Sequence, residues 1–172
     1  MKWYELVSTW FGLGKSSFMP GTIGTFGAMP FLYFAYYSSS SDYEVKMTLL
    51  FFVVLLSIIG YFAIRKYHEA FRIIDAQSIV VDEVIGQLVT LGLAYDWIVS
   101  ALKKFSIVPV DTGDNMAIFY IFMAAFIPFR FFDITKPFYI SLIDRYWKNA
   151  VGVILDDVLA GFVAAAVLYI LR

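Results

Sequence analysis

Five carboxylates in this sequence sit beside apolar runs of near-membrane length. Asp82 and Glu83 immediately precede a run that begins at Val84, Asp133 follows one that ends at Phe129, and Asp156 and Asp157 open a third. Acids at a membrane boundary cost free energy to dehydrate unless they are paired, solvated or bound to a metal ion. Arg130 stands three positions before Asp133 and Lys136 three positions after it. Hard oxygen ligands with no histidine or cysteine among them favour magnesium, calcium or manganese over zinc. Each cluster alone also has a plain structural reading. Asp156–Asp157 and Asp82–Glu83 would complement the positive end of a helix dipole, and Arg130 with Asp133 makes an ordinary i,i+3 ion pair. All three clusters nevertheless fall on one side of a membrane once the intervening runs are taken as helices, and there they could converge.

Composition sets the frame for those helices. The chain has 172 residues, 61% of them hydrophobic, 20% aromatic and 16% charged, and its mean hydropathy is +0.77. A soluble domain is about 45–50% apolar and about 25% charged. The excess is too large for the core of a small domain and excludes disorder. A net charge of −1 offers no field for nucleic acid. The absence of cysteine removes disulfides, thiolate zinc sites and cysteine nucleophiles. His68, the single histidine, lies among Lys66, Glu69 and Arg72 and reads as a solvated residue. Gly12-Leu-Gly-Lys-Ser-Ser17 lacks the spacing of a phosphate loop and has no strand before it. The expected fold is all-α: a small polytopic membrane helical bundle, a single domain over 1–172, with interfacial and short helices.

The clearest span is Met47–Ile64, 18 residues without a charge. Thr22–Tyr37 has 16 residues and contains Gly24, Gly27 and Pro30, just short of the usual range of about 17–25. Ser38–Asp42 reads as a turn. Val84–Tyr95 has 12 residues; it either continues through Asp96 to Leu102 or stops as a short packed helix. Met116–Phe129 and the alanine-rich Val158–Leu171 complete the set, the latter suited to close helix packing. Near the amino terminus, Trp3, Leu6, Val7, Trp10 and Phe11 recur at helical spacing. That stripe either lies in the membrane interface or packs on other helices. Glu5 and the early breaks in hydrophobicity argue against a signal peptide. If the amino terminus, Arg65–Glu83 and Arg130–Asp157 share a side, that side holds nine of 13 basic residues and nine of 14 acidic ones. The bias makes it cytoplasmic, with Lys103 and Lys104 as counter-evidence unless Asp96–Ile107 is interfacial.

Four blocks together resemble the phosphatidylglycerophosphatase A family. They are Pro20-Gly-Thr22-Ile-Gly24-Thr25 with Pro30, Ser78 to Gly86 around Asp82-Glu83, Phe129-Arg130-Phe-Phe-Asp133-Ile-Thr-Lys136-Pro137, and Gly152 to Gly161 around Asp156-Asp157. They occur in the family order and cover most of the chain. The resemblance implies a magnesium-dependent enzyme of the bacterial inner membrane that removes the terminal phosphate of phosphatidylglycerophosphate. Its partner would be a phospholipid substrate in the membrane, and a homo-oligomer is compatible with it. Asp82, Glu83, Asp133, Asp156 and Asp157 are then the candidates for both catalysis and magnesium binding. Arg130, Lys136, Thr22 and Thr25 are the candidates for holding phosphate, while a tight helix-entry turn explains Pro20–Pro30 equally well. Attack by water and an aspartyl-phosphate intermediate both remain open. A reading from another class is a small ion channel or transporter with an acidic cation site. Placement separates the two, because a transport site belongs near the bilayer midplane.

Overall fold

A computed structural model describes residues 1–73, 76–105, 115–137 and 146–171, and the described residues contain no strand. The α-helices are α1 (Trp3–Ser8), α2 (Pro20–Thr25), α3 (Met29–Ser38), α4 (Asp42–Phe71), α5 (Val81–Lys104), α6 (Asn115–Thr135) and α7 (Ala150–Ile170). Helices α4 to α7 are each long and apolar enough to cross a membrane. With a rise of about 1.5 Å per residue, even the 21 residues of α6 and of α7 reach about 30 Å, the thickness of a hydrocarbon core.

Helix α5 is the centre of the bundle and packs against α4, α6 and α7. Val84, Ile85, Leu88, Leu91 and Ala94 are all fully buried, as expected of a helix with apolar residues on every face. Its continuity settles how Val84–Tyr95 ends. The helix runs on through Asp96 to Lys104, because the Asp96 carboxylate accepts a hydrogen bond from Lys46 Nζ on α4 at 2.5 Å. A charge paired to a neighbouring helix need not end its own, so no interfacial helix starts at Asp96. Arg145, Arg172 and the stretch 106–114 lie outside the described residues.

The structure corrects three other boundaries. Thr22–Tyr37 is not one helix. Prolines near the starts of α2 and α3 and a 3₁₀ turn at Phe26–Ala28 divide it into pieces. It still runs between the ends of the bundle, since Gly21 lies against Glu83 and Arg130 while the Tyr37 hydroxyl donates to Asn115 Oδ1 at 3.0 Å. Helix α7 starts at Ala150, well before Val158. Asn149 Oδ1 caps it by accepting from the Val151 and Gly152 N–H groups at 2.9 and 3.0 Å. Asp156 and Asp157 are therefore nearly two turns inside the helix, and the dipole-cap reading fails for them. Helix α6 likewise continues past Phe129 to Thr135, carrying Arg130 and Asp133 on its last turns.

The amino-terminal stripe divides between its two readings. Val7 and Trp10 pack against the core, whereas Trp3, Leu6 and Phe11 face outward. The cause is that α1 stops at Ser8 and the chain turns back through positive φ at Trp10, Phe11 and Gly12.

Helices α5 and α7 cross almost in backbone contact. A Cβ on Gly161 would lie 2.5 Å from the Gly86 carbonyl oxygen, and one on Gly86 would lie 2.7 Å from that of Asp157. Thr90 Oγ1 bridges the crossing, 3.2 Å from the Gly86 carbonyl and 3.3 Å from that of Gly161. Gly161→Val is therefore expected to separate the helices at a cost of about 1–3 kcal/mol. Thermal unfolding of the purified protein in detergent should show a melting point lower by several degrees.

Candidate functional site

The site follows from where helices start and stop. Asp82 and Glu83 occupy the first turn of α5, and Asp156 and Asp157 project from α7 where it crosses α5. Arg130 and Asp133 end α6, and Lys136 follows it. Lys136 adopts a left-handed backbone at φ 39°, its N–H donating to the Phe132 carbonyl at 2.9 Å. That conformation closes the helix ahead of Pro137 and turns the side chain toward α7. There Lys136 Nζ meets Asp156 Oδ2 at 2.6 Å.

These side chains line one cavity of about 360 Å³, which also receives Thr22 and the start of α2. Eight of the nine residues singled out by sequence thus come together: Asp82, Glu83, Asp133, Asp156, Asp157, Arg130, Lys136 and Thr22. Thr25 does not. It is fully buried, and its hydroxyl donates to the Gly21 carbonyl one turn back at 2.8 Å, which makes it a support of α2 rather than a phosphate contact. The reading of Pro20–Pro30 as a helix-entry turn and the reading of Thr22 as a site residue are both consistent with this geometry.

The five carboxylates fall into two groups. Asp133 is ion-paired with Arg130, and Asp156 with Lys136. Asp82, Glu83 and Asp157 instead face one another, one oxygen from each lying within 4.8 Å of the others. Each of those three also has a buried carboxylate oxygen with no hydrogen-bond partner among the described residues. Buried acceptors without donors are rare in native structures and call for an ion or water. Arg130 complements them with a buried Nε–H that has no acceptor among the described residues.

Sequence reasoning left Gly21 and Gln77 out of the candidate set, and both line the cavity. Gln77 carried no signal. Gly21 did, within the Pro-Gly-Thr block: a Cβ there would overlap Glu83 Oε1 and lie 3.2 Å from an Arg130 terminal nitrogen. Only glycine lets α2 approach this closely without displacing either side chain.

The Lys136–Asp156 pair is the easiest of these contacts to test. Asp156 is almost buried, its side chain 7% exposed, so removing its cation leaves a charge that solvent cannot compensate. Lys136→Met is expected to destabilise the protein by about 1–3 kcal/mol. Adding Asp156→Asn should restore part of the loss, as read by thermal unfolding in a double-mutant cycle.

Comparison with known proteins agrees with the geometry. The family described as Phosphatidylglycerophosphatase A matches residues 6–172. Phosphatidylglycerophosphatase A of Escherichia coli strain K12 is 30% identical over 96% of this chain and 81% of its own length. Phosphatidylglycerophosphatase A of Haemophilus influenzae is 31% identical over 74% of this chain and 66% of its own. A Bacteroides thetaiotaomicron protein provisionally named a phosphatidylinositol-3-phosphatase is 33% identical over 91% and 85%. No solved structure matches. The chain belongs to the phosphatidylglycerophosphatase A family.

Proposed function

We propose that the protein is a magnesium-dependent lipid phosphomonoesterase that converts phosphatidylglycerophosphate to phosphatidylglycerol at the cytoplasmic face of a bacterial inner membrane. The observation that carries this reading is the convergence of five carboxylates and two cations on one cavity, at one end of a bundle of span-length helices. Family membership and the two relatives named phosphatidylglycerophosphatase A support the substrate. In the sequence, the amino terminus and the segments Arg65–Glu83 and Arg130–Asp157 carry nine of the 13 basic residues, a bias that supports a cytoplasmic orientation. Placement favours an enzyme over a transporter, because Asp82, Glu83 and Asp133 sit at helix ends and not at mid-helix.

Asp82, Glu83 and Asp157 are the residues that would hold the cation, since their unpartnered oxygens form a hard, all-oxygen donor set. Bound there, magnesium would supply positive charge beside the phosphate oxygens. The remaining roles belong to this chain's own side chains. Arg130, oriented by Asp133, presents its unpartnered Nε–H, and Lys136 adds a second cation. Together they hold the phosphate charge as it redistributes in the transition state. Thr22 adds a hydroxyl at the same wall. Water oxygen bonds to phosphorus as the bond from phosphorus to the ester oxygen breaks, and the proton lost by the water passes by way of a cluster carboxylate to the departing lipid oxygen, which leaves as the alcohol.

The deciding assay is phosphate release by purified protein in detergent, with magnesium or with EDTA. Its substrates are phosphatidylglycerophosphate, phosphatidate and phosphatidylinositol 3-phosphate. Magnesium-dependent release from the first lipid is the expected result. Release confined to phosphatidylinositol 3-phosphate would move the substrate to the class carried by the name of the Bacteroides relative. No release from any of them, with folded protein, would overturn the reading.

Two variants refine it. Asp157→Asn should lower turnover by about a hundredfold or more and abolish the rise in melting temperature that magnesium gives the native protein. Gly21→Ala should lower turnover by about tenfold or more through displacement of Glu83 and Arg130. Its melting temperature should stay close to native, because the atoms displaced are the ends of flexible side chains.

A further inference from the structure

A second charged cavity opens at the same end of the bundle, between the last turns of α4 and the start of α7. It measures about 350 Å³ and shares no residue with the carboxylate cavity. Tyr61, Arg65 and His68 reach it from one face of α4, at i, i+4 and i+7 spacing, and Lys148 and Val151 reach it from the α7 side. Among the described residues that line it Glu69 is the one acid, and that carboxylate is shared between Arg65 at 3.2 Å and Lys66 at 2.9 Å. Lys148 carries no ion pair among the described residues. The described lining is thus net positive, although the chain as a whole carries −1.

Charge and depth together indicate the ligand. Arg65, His68 and Lys148 form a polar upper wall suited to an anion. Tyr61, about 6 Å deeper along α4, and Val151 give a lower wall that is largely apolar. A free anion needs only the first wall. An amphiphile whose anionic head sits where α4 leaves the membrane would use both.

We propose that this cavity is a non-catalytic site for the phosphate head of an anionic phospholipid from the leaflet that faces the carboxylate site. The guanidinium of Arg65 and the ammonium of Lys148 flank the phosphate, and Tyr61 packs along the glycerol. The site needs no divalent cation and does not depend on which lipid is hydrolysed.

Native mass spectrometry of the full chain, released from detergent with phosphatidylglycerol, phosphatidylcholine or inorganic phosphate, tests the proposal. Wild type should retain phosphatidylglycerol in preference to phosphatidylcholine. Arg130→Gln, in the carboxylate cavity, should keep that retention. The double variant Arg65→Gln/Lys148→Gln should lose about tenfold or more of it while keeping phosphate release from substrate dispersed in detergent. Arg65→Lys/Lys148→Arg should restore most of the retention, which separates lost charge from a failure to fold. Equal retention by wild type and the double glutamine variant would overturn the proposal. So would saturation by inorganic phosphate with no retention of phosphatidylglycerol.

Discussion

The close crossing of α5 and α7 is the constraint on which the rest of the molecule depends. Inside a membrane, helices gain little from the hydrophobic effect on meeting one another, so short interaxial distances come from small residues and polar stitches. Gly86 and Gly161 supply the first and Thr90 the second. Asp82 and Glu83 stand about one turn from Gly86, and Asp156 and Asp157 about one turn from Gly161. Bringing the glycines together therefore brings four carboxylates together. Separation of the two backbones would relieve carboxylate repulsion and dissolve the site in the same motion.

Holding like charges at this distance requires that something else hold the framework. Part of that support is placed far from the acids. Lys46 and Asp96 pair across α4 and α5 toward the other end of the bundle, and one turn from Glu83 the Gln87 Nε2 reaches the Phe122 carbonyl on α6 at 3.4 Å. The other part is local: Arg130 and Lys136 neutralise two of the five acids and leave three facing one another. Only half of this division was visible in the sequence, where Arg130–Asp133 already read as an i,i+3 pair but nothing set Asp156 apart from Asp82, Glu83 and Asp157. It depends on side-chain direction at the end of α6, and in particular on the left-handed residue at Lys136.

Other features were legible because they rest on composition or on a short local pattern. The apolar excess gave an all-helical bundle, and the Pro-Gly-Thr, Asp-Glu, Arg-x-x-Asp-x-x-Lys-Pro and Asp-Asp blocks gave the eight candidate residues that line the cavity. Helix ends were harder to read, since a charge in an apolar run has two explanations. At Asp96 the charge is paired across helices and the helix continues; at Asp156 and Asp157 the helix has already begun, at Ala150 behind its Asn149 cap. Thr22 and Thr25 show the same limit at the scale of one turn. Both lie in α2, yet one faces the cavity and the other bonds back to Gly21, a difference set by the packing of α2 on α5. Gln77 lay beyond any pattern, because a loop residue next to a site has no periodicity to reveal it.

The charge balance of the cavity bears on the order of events in the proposed reaction. Five carboxylates and two cations line it, a formal excess of three negative charges if all are ionised. A phosphomonoester near neutral pH is itself close to dianionic, so the cavity would repel the group it is meant to bind. A divalent cation held by Asp82, Glu83 and Asp157 would cut that excess from three to one and place positive charge directly beside the phosphate oxygens. Cation and phosphate affinity are then reciprocally linked, each strengthening the other by the same factor. Phosphatidylglycerol keeps a phosphodiester with a single charge, so hydrolysis reduces the lipid's hold on the cavity in the same step that makes the product. A site built with a surplus of acid can thus be selective for a phosphomonoester over the phosphodiester lipids that surround it, without a side chain that reads the glycerol.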